Sequence, residues 1–490
     1  MTDRRARRVG VIDVGSNSVR LVIYDVHGAA HSPCFNEKVM AGLGRGLGET
    51  GKLSPEGWQL AIAALRRFRA LLDALDVRDV RAVATAAVRV ATDGPAFARE
   101  AAVAAKVPLS ILSGVDEGRI SALGVASGMF QAEGLVADLG GSSLELYPIG
   151  ERDFGAGETL MLGPLALAQY NASGAALVRA TIREALSTST IAKVGLERLY
   201  AVGGAWRALA KVAMEDSKYP LRILQGFTLE ARDISRLAKD VEEERVENLS
   251  SIAGRRAAQL HLTAAVLDEL VQLSGASEIV VSSYGLREGL VSEMMSGATP
   301  DGLVDGIIAA GRLDVAQSDF GEVLFDFSRD AFKGVEPVMG GWTRESRLHR
   351  AACLLADSGG RYHPDHRAAM AAEQALYAGV PGLTHPERIF IASAVGARYA
   401  RSFSLPRAKR DLLQAPQFKR ARQLGQVMRL GAAFSGRSGP LLKGASLAPL
   451  GERLVLSFSH ERAELISETV ERRLYQTADL FDLKPQVSLI

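Results

Sequence analysis

Two short segments of the chain carry the same chemistry-bearing pattern. Ile12-Asp13-Val14-Gly15-Ser16-Asn17-Ser18-Val19-Arg20-Leu21 can be laid over Ala137-Asp138-Leu139-Gly140-Gly141-Ser142-Ser143-Leu144-Glu145-Leu146. The shared template is apolar–Asp–apolar–Gly–small–small–Ser–apolar–charged–Leu. Glycines and small hydroxyl residues let backbone N–H groups turn inward and approach phosphate oxygens closely. Gly15, Ser16, Asn17, Ser18, Gly140, Gly141, Ser142 and Ser143 are therefore candidate phosphate-binding positions. A carboxylate beside a phosphate repels it, so Asp13 and Asp138 are better suited to holding Mg2+ or orienting water. Either loop alone is most simply an ordinary turn. Two in register point to a phosphate cleft with duplicated walls.

The surrounding sequence predicts elements that would hold such loops. The β-branched runs Val9–Ile12 and Val19–Val26 flank the first loop as strand, turn, strand. Over Pro55–Leu75, Trp58, Ile62, Leu65, Phe68, Leu72 and Leu75 recur at helical spacing, with Ser54 as N-cap and Pro55 at the first position. Val80–Ala84 and Leu109–Leu112 read as strands, Phe97–Lys106 and Asp116–Ser127 as helices. This alternation predicts a mostly parallel, covered sheet. At Leu135 the pattern restarts, and such self-similarity implies two related α/β domains facing one cleft. Leu199–Gly204 is a strand running into Gly203-Gly204 and a helix from Ala205. Glu278–Ser283 is a strand before the helix Leu286–Met295. Pro300 and two glycines mark a boundary between Gly297 and Gly302. Beyond it helical periodicity dominates, over Ser346–Ala356, Arg367–Ala378 and Pro386–Arg401, with one β element at Arg453–Phe458. The expected domains are 1–128, 129–298 and 299–490.

Bulk composition narrows the partners. A chain of 490 residues, 47% hydrophobic, buries a large core without staples. Its net charge of +2 provides no global field, so an anion must be held by local groups and no specific nucleic-acid partner is expected. Cys34 and Cys353 are far apart and in no metal-ligand spacing, which fits a reducing cytoplasm. Arg4-Arg5-Ala6-Arg7-Arg8 starts like a signal peptide, but Asp13 interrupts the apolar stretch that follows. These arginines read as a solvated tail, with weak polyanion tethering as the alternative. No stretch approaches the roughly 20 apolar residues of a membrane span, so no membrane partner is expected.

The duplicated strand–Asp–Gly loop resembles the one with which the actin-like (ASKHA, ribonuclease H-like) ATPases and sugar kinases hold a nucleoside triphosphate. That leaves a kinase or ATPase against a phosphatase. Ser113-Gly114-Val115-Asp116-Glu117-Gly118-Arg119 tips the balance. With Thr85-Ala86-Ala87-Val88-Arg89 and Ser283-Tyr284-Gly285-Leu286-Arg287-Glu288-Gly289, it resembles the exopolyphosphatase / guanosine pentaphosphate phosphohydrolase (Ppx/GppA) family, in order and spacing over residues 9–290. The resemblance implies Mg2+-dependent, processive hydrolysis of terminal phosphate from inorganic polyphosphate by direct attack of water. In some relatives it implies removal of the terminal phosphate of guanosine pentaphosphate.

Carried over residue by residue, the resemblance makes Glu117 the general base and places Glu145 near metal or attacking water. It makes Asp13 and Asp138 the loop aspartates and Arg89 a phosphate-binding arginine. Gly203 and Gly204 keep part of a further glycine pattern. The chemistry is consistent: phosphoanhydride hydrolysis needs aligned water, which a carboxylate orients, and a guanidinium fork on phosphate. Structural alternatives stand beside each role. Glu117 could be a first-turn acid complementing a helix dipole, Arg89 an ordinary surface arginine, and Glu145 a solvent-facing strand residue.

The chain departs from the family pattern at Ser142, where a glycine is usual, and at Leu144, where a threonine is usual. Asp116 replaces a Glu, and in Gly42-Leu43-Gly44-Arg45-Gly46 the expected arginine is displaced to Arg45. The C-terminal third resembles the helical extension of longer members, related to His-Asp metal-dependent phosphohydrolases. Ala356-Asp357 lacks the pair's histidine, although His349, His363, His366 and His385 lie nearby. A degenerate, non-catalytic extension that lengthens a polyphosphate channel and forms a homodimer contact is expected. Lys409, Arg410, Lys419, Arg420 and Arg422 form either a polyanion track or a solvated helix face. The remaining alternatives to an exopolyphosphatase are a guanosine pentaphosphate phosphohydrolase, an actin-like kinase or ATPase, and a non-catalytic polyphosphate or alarmone sensor.

Overall fold

The apolar runs around the first loop form antiparallel strands β1 (Arg7–Val14) and β2 (Val19–His27), and β3 (Ala30–Val39) follows at the edge. The computed structural model describes residues 7–150, 157–295, 301–311 and 315–490. Arg4, Arg5 and Ala6 of the proposed tail and the 298/299 boundary lie outside them. Arg7 and Arg8 belong to β1 rather than to a tail, and pair with Asp79 and Asp25.

Strands β4 (Asp79–Ala84) and β5 (Leu109–Ile111) run parallel to β1, giving the order β3-β2-β1-β4-β5. The second sheet repeats the plan with β6 (Gly134–Leu139), β7 (Leu144–Ile149), β8 (Glu158–Leu160), β9 (Arg198–Val202) and β11 (Glu278–Val281). An antiparallel edge strand, β10 (Phe227–Glu230), completes the order β10-β11-β9-β6-β7-β8. In both sheets the first three strands are antiparallel and the next two run parallel to the first. This is the duplicated ribonuclease H-like, actin-like plan that the repeated loops implied. The edge strand β3 escaped sequence reading because it is only partly buried, polar and contains Pro33, the composition of a protected edge.

The helix Pro55–Ala74 buries Ile62, Leu65, Phe68 and Leu72, and Ser54 caps it by accepting from the Gly57 N–H. Leu75 terminates this helix and is exposed rather than part of its apolar face. The helix Gly114–Gly128 begins at Ser113, whose hydroxyl accepts from the Asp116 N–H at 3.1 Å. It packs on β7 and on the helix Leu286–Met294.

The chain divides into two compact units, Met1–Gly302 and Leu303–Ile490. The second is mainly helical, with Trp342–Leu354, Arg367–Tyr377, His385–Tyr399 and Ala415–Ser435 among its longer helices. It also holds a three-stranded sheet in which β13 (Arg453–Phe458) lies between β12 (Ser446–Leu450) and β14 (Lys484–Leu489). His349 is buried, its Nε2 2.6 Å from Ser328 Oγ, and burial with Arg420 nearby lowers its pKa to about 3. His363 and His366 are exposed and His385 is buried. Among the described residues no three His, Cys, Asp or Glu side chains form a metal-holding group.

The basic stretch is a correction to the sequence reading. Arg420 is buried, paired with Glu345 and donating to the Glu336 carbonyl. Lys409 pairs with Glu373 and Lys419 with Asp482. Arg420 is thereby taken out of the stretch and Lys409 is largely engaged, whereas Lys419 stays more than half exposed.

Candidate active site

The two loops have the same internal geometry. Gly15 N–H donates to Ser18 O at 3.0 Å, and Gly140 N–H to Ser143 O at 2.9 Å. Each loop is propped by a later segment in matching register. Gly44 and Gly42 donate to the carbonyls of Ser16 and Asn17, at 2.8 and 3.0 Å. Leu165 and Gly163 donate to those of Gly141 and Ser142, also at 2.8 and 3.0 Å. These four bonds use loop carbonyls only, so they leave the loop N–H groups to other partners. Ser142 Oγ donates to Ser16 Oγ at 3.3 Å and draws the loops together.

Both loops line one cavity of about 540 Å3, together with Asp13, Asp138, Glu117, Gly203 and Gly204. Gly203 has φ +107°, and a Cβ there would collide with the Leu139 carbonyl and lie 3.3 Å from Asp138 Oδ1. A Cβ on Gly204 would collide with the Arg256 guanidinium. These glycines open the N-terminus of the helix Gly204–Asp216 onto the cavity, a favourable end for an anion.

The carboxylates come from different elements. Glu117 projects from the first turn of Gly114–Gly128 and is only 8% exposed, whereas Asp116 points outward and accepts from Ser113 Oγ at 2.6 Å. Arg89 lies in the short helix Ala86–Val90 after β4. Its guanidinium donates to Glu117 Oε2 at 2.8 Å and the Leu112 carbonyl at 3.0 Å, and lies 3.7 Å from Glu145 Oε1. Arg89 is thus engaged with two carboxylates and is not among the residues lining the cavity. Glu145 is 1% exposed, and neither carboxylate oxygen has a hydrogen-bond partner among the described residues. The buried position rules out the solvent-facing alternative. Ser121 Oγ donates to Asp138 Oδ2 at 2.5 Å, and Arg287 Nε lies 3.8 Å from Asp13 Oδ2.

Burial raises all four acids. It moves Glu117 up to about 7, against the pull of Arg89. Glu145 is held well above the usual carboxylate range by burial and then by Glu117. Asp13 is raised by burial, partly offset by Arg287 and Arg20, and Asp138 by burial, partly offset by Ser121. Excess negative charge at oxygen-only donors suits a hard cation. Asp13 and Asp138, which line the cavity, would be the residues to hold Mg2+; Glu145 is not among the lining residues, and among the described residues no three such side chains form an all-protein cage.

Cations share the cavity lining with these acids, which the sequence reading missed. Lys38, Arg207, Arg256 and Arg287 line the cavity. Arg20, just behind, is lowered to about 10 by burial and then by Arg287 and Arg207. Lys38 is lowered by burial and then by Arg256, Arg20 and Arg287. Only Arg287 had a local signal, inside the Gly285–Gly289 motif. Arg207 follows Gly203-Gly204 by one helical turn, and Arg256 had none. Arg45, the displaced arginine, is exposed and outside the cavity lining. Leu144 is fully buried in the second sheet's core, so the family's threonine position serves packing here.

Comparison with known proteins gives the family. Residues 22–298 match the Ppx/GppA phosphatase family, and 314–487 match the exopolyphosphatase C-terminal domain. The chain belongs to the Ppx/GppA phosphatase family. It is 25% identical over 301 residues to exopolyphosphatase 1 of Mycobacterium leprae, covering 58% of this chain and 88% of the relative. It is also 25% identical over 481 residues, 92% of each chain, to a guanosine-5'-triphosphate,3'-diphosphate pyrophosphatase of Vibrio vulnificus. An exopolyphosphatase structure from Cytophaga hutchinsonii aligns with TM-score 0.53 at 23% identity, covering 59% of this chain and 97% of that one. The last likeness establishes the fold alone, over a share of the chain close to the size of the first unit. No described helix is long and apolar enough to cross a membrane.

Proposed function

We propose that this phosphatase is an exopolyphosphatase that hydrolyses the terminal phosphate of inorganic polyphosphate with Mg2+ by direct attack of water. The observation that carries this reading is the juxtaposition of Glu117, a buried carboxyl raised to about 7, with a cavity of about 540 Å3 lined by cations. A base poised near neutrality orients and deprotonates water efficiently. Arg89 holds Glu117 and Glu145 in place. Loop N–H groups, Ser16, Ser18 and Ser143, and the cations Lys38, Arg207 and Arg287 bind and orient phosphoryl oxygens. They also stabilise charge on the transferring group, the main requirement of phosphoryl transfer. Asp13 and Asp138 would hold Mg2+, which would supply further charge neutralisation.

In this reading the chain works as domains 1–128, 129–298 and 299–490, in a cytoplasmic homodimer. The two free cysteines suit a reducing compartment. Phosphate release from long polyphosphate with Mg2+, and its loss in Glu117→Gln, tests the proposal. Wild-type release by that variant rejects the role of Glu117. Guanosine pentaphosphate hydrolysis is the second reading, favoured by the relative aligned over 92% of the chain. Side-by-side kcat/KM values for the two substrates separate them. ATP turnover without polyphosphate hydrolysis would revive the kinase or ATPase reading, and Mg2+-dependent binding without turnover the sensor reading.

A further inference from the structure

Glu288 is a fourth acid lining the Glu117 cavity, beside Asp13 and Asp138. It stands in the first turn of the helix Leu286–Met294, next to Arg287. That helix follows β11 of the second sheet but packs on the first, where Leu290 and Val291 share a core with Val9, Val22 and Tyr24. Both carboxylate oxygens of Glu288 are taken. Oε1 accepts from the Tyr24 hydroxyl at 2.6 Å, and Oε2 from the Gly285 N–H at 3.0 Å. Tyr24 is 1% exposed, and burial and then Glu288 raise its pKa well above the usual value. Its hydroxyl therefore keeps its proton and is the donor. His31 lies edge-on to the Tyr24 ring, with centroids 5.5 Å apart. Burial lowers the His31 pKa, so the imidazole stays neutral and adds no charge beside Glu288.

Without the Tyr24 bond, the cations of the cavity are the alternative partners of this carboxylate. Arg207 and Arg287 both feel its charge. Arg287 approaches Asp13 Oδ2 at 3.8 Å and, among the described residues, forms an ion pair with no other acid. A guanidinium that no carboxylate holds in a two-pronged pair keeps its fork for phosphate oxygens. A carboxylate that swung to Arg287 would neutralise it and set a like charge beside a bound phosphate.

We propose that Tyr24 is a positioning residue for substrate binding: its hydroxyl holds the Glu288 carboxylate away from Arg287 and so leaves the guanidinium to a phosphoryl oxygen. Tyr24 acts through Glu288 and does not itself touch phosphate. The inference rests on the cavity being the phosphoanhydride site, and not on which phosphoanhydride is hydrolysed there.

Tyr24→Phe tests it, because Phe keeps the ring and removes only the hydroxyl. The readout is the Kd of methylenediphosphonate, whose P–C–P bridge resists hydrolysis, by calorimetry on the full chain with Mg2+ at fixed ionic strength. Tyr24→Phe should weaken binding roughly threefold or more. In the Glu288→Gln background no charge is released, and the same substitution should change Kd by less than about twofold. With a hydrolysed substrate, KM should rise while kcat changes less. A loss below about threefold in the wild-type background overturns the inference. So does an equal loss in both backgrounds, which would make Tyr24 a packing residue. Glu288→Gln alone should bind the probe no more weakly than the wild type. Weaker binding would mean that the Glu288 charge assists the anion, and it overturns the inference even where Tyr24→Phe does not fold. A wild type that releases no phosphate from polyphosphate or guanosine pentaphosphate counts against the functional reading, whereas the Kd ratios decide the role of Tyr24.

Discussion

The two phosphate loops are alike in backbone, but the strands that leave them carry opposite charge. Both close with a Gly N–H to Ser carbonyl bond, and both are propped from outside at the same two carbonyls. Across the adjoining strands, however, Asp13 faces Arg20, while Asp138 faces Glu145. Residues at matched template positions have therefore become a cation on one side and an acid on the other. The first loop sits among Arg20, Lys38 and Arg287, which suits holding phosphoryl oxygens. The second sits beside Glu145 and Glu117, which suits handling water and a metal. A duplicated cradle thus yields an asymmetric site, as an in-line displacement with different attacking and leaving sides requires.

Breaking the acidic side should have the largest effect. Glu117→Gln keeps the fold and lowers kcat about 10²–10⁴-fold, measured by phosphate release. Glu145→Gln should also lower kcat, yet raise the melting temperature by roughly 2–4 °C near pH 8, because it removes a fully buried carboxyl that burial and Glu117 disfavour and that Ser143 and Arg89, 3.7 Å away, only partly offset. A lower melting temperature would mean that the Glu145 charge stabilises the fold.

Breaking the cationic side should act on binding. Arg287→Gln removes a charge-assisted phosphate contact and should raise KM roughly tenfold or more, with a smaller change in kcat. An effect on kcat alone would move Arg287 from the binding wall to the reacting group.

The pH profile sharpens the division further. A base must be deprotonated to work, so kcat should rise with pH through about 7, following Glu117. Arg89 pulls that value down, so Arg89→Gln should shift the acidic limb upward. A downward shift would contradict the pairing. The smallest effect belongs to Ser142→Ala, which loses one 3.3 Å hydroxyl contact and should change kcat/KM by less than about fivefold.

Much of the first unit was legible because its signals are local. Strand–loop–strand patterning, the Ser54 cap and the Asp–Gly loops each occupy a few consecutive residues. Glu117 and Glu145 were legible through motifs. The role of Arg89 was only half legible, since its phosphate-binding motif gives no hint that Glu117 and Glu145 are its partners. Arg256 was illegible, because it reaches the cavity from a segment with no pattern of its own. In the helical unit, Lys409, Arg410, Lys419, Arg420 and Arg422 read as one stretch by sequence adjacency, whereas the structure buries Arg420 against Glu345 and pairs Lys409 with Glu373.

The sequence by itself determined the duplication, the strand–loop–strand units and the acidic residue types at the loops. These depend on side-chain pattern and backbone preference within a few residues. Only the tertiary structure decided which acid faces which cation, that burial carries Glu117 to about 7, and that Glu145 lacks a hydrogen-bond partner. Desolvation and charge–charge interaction act through space, between residues separated by tens to hundreds of positions, and no local spacing records them.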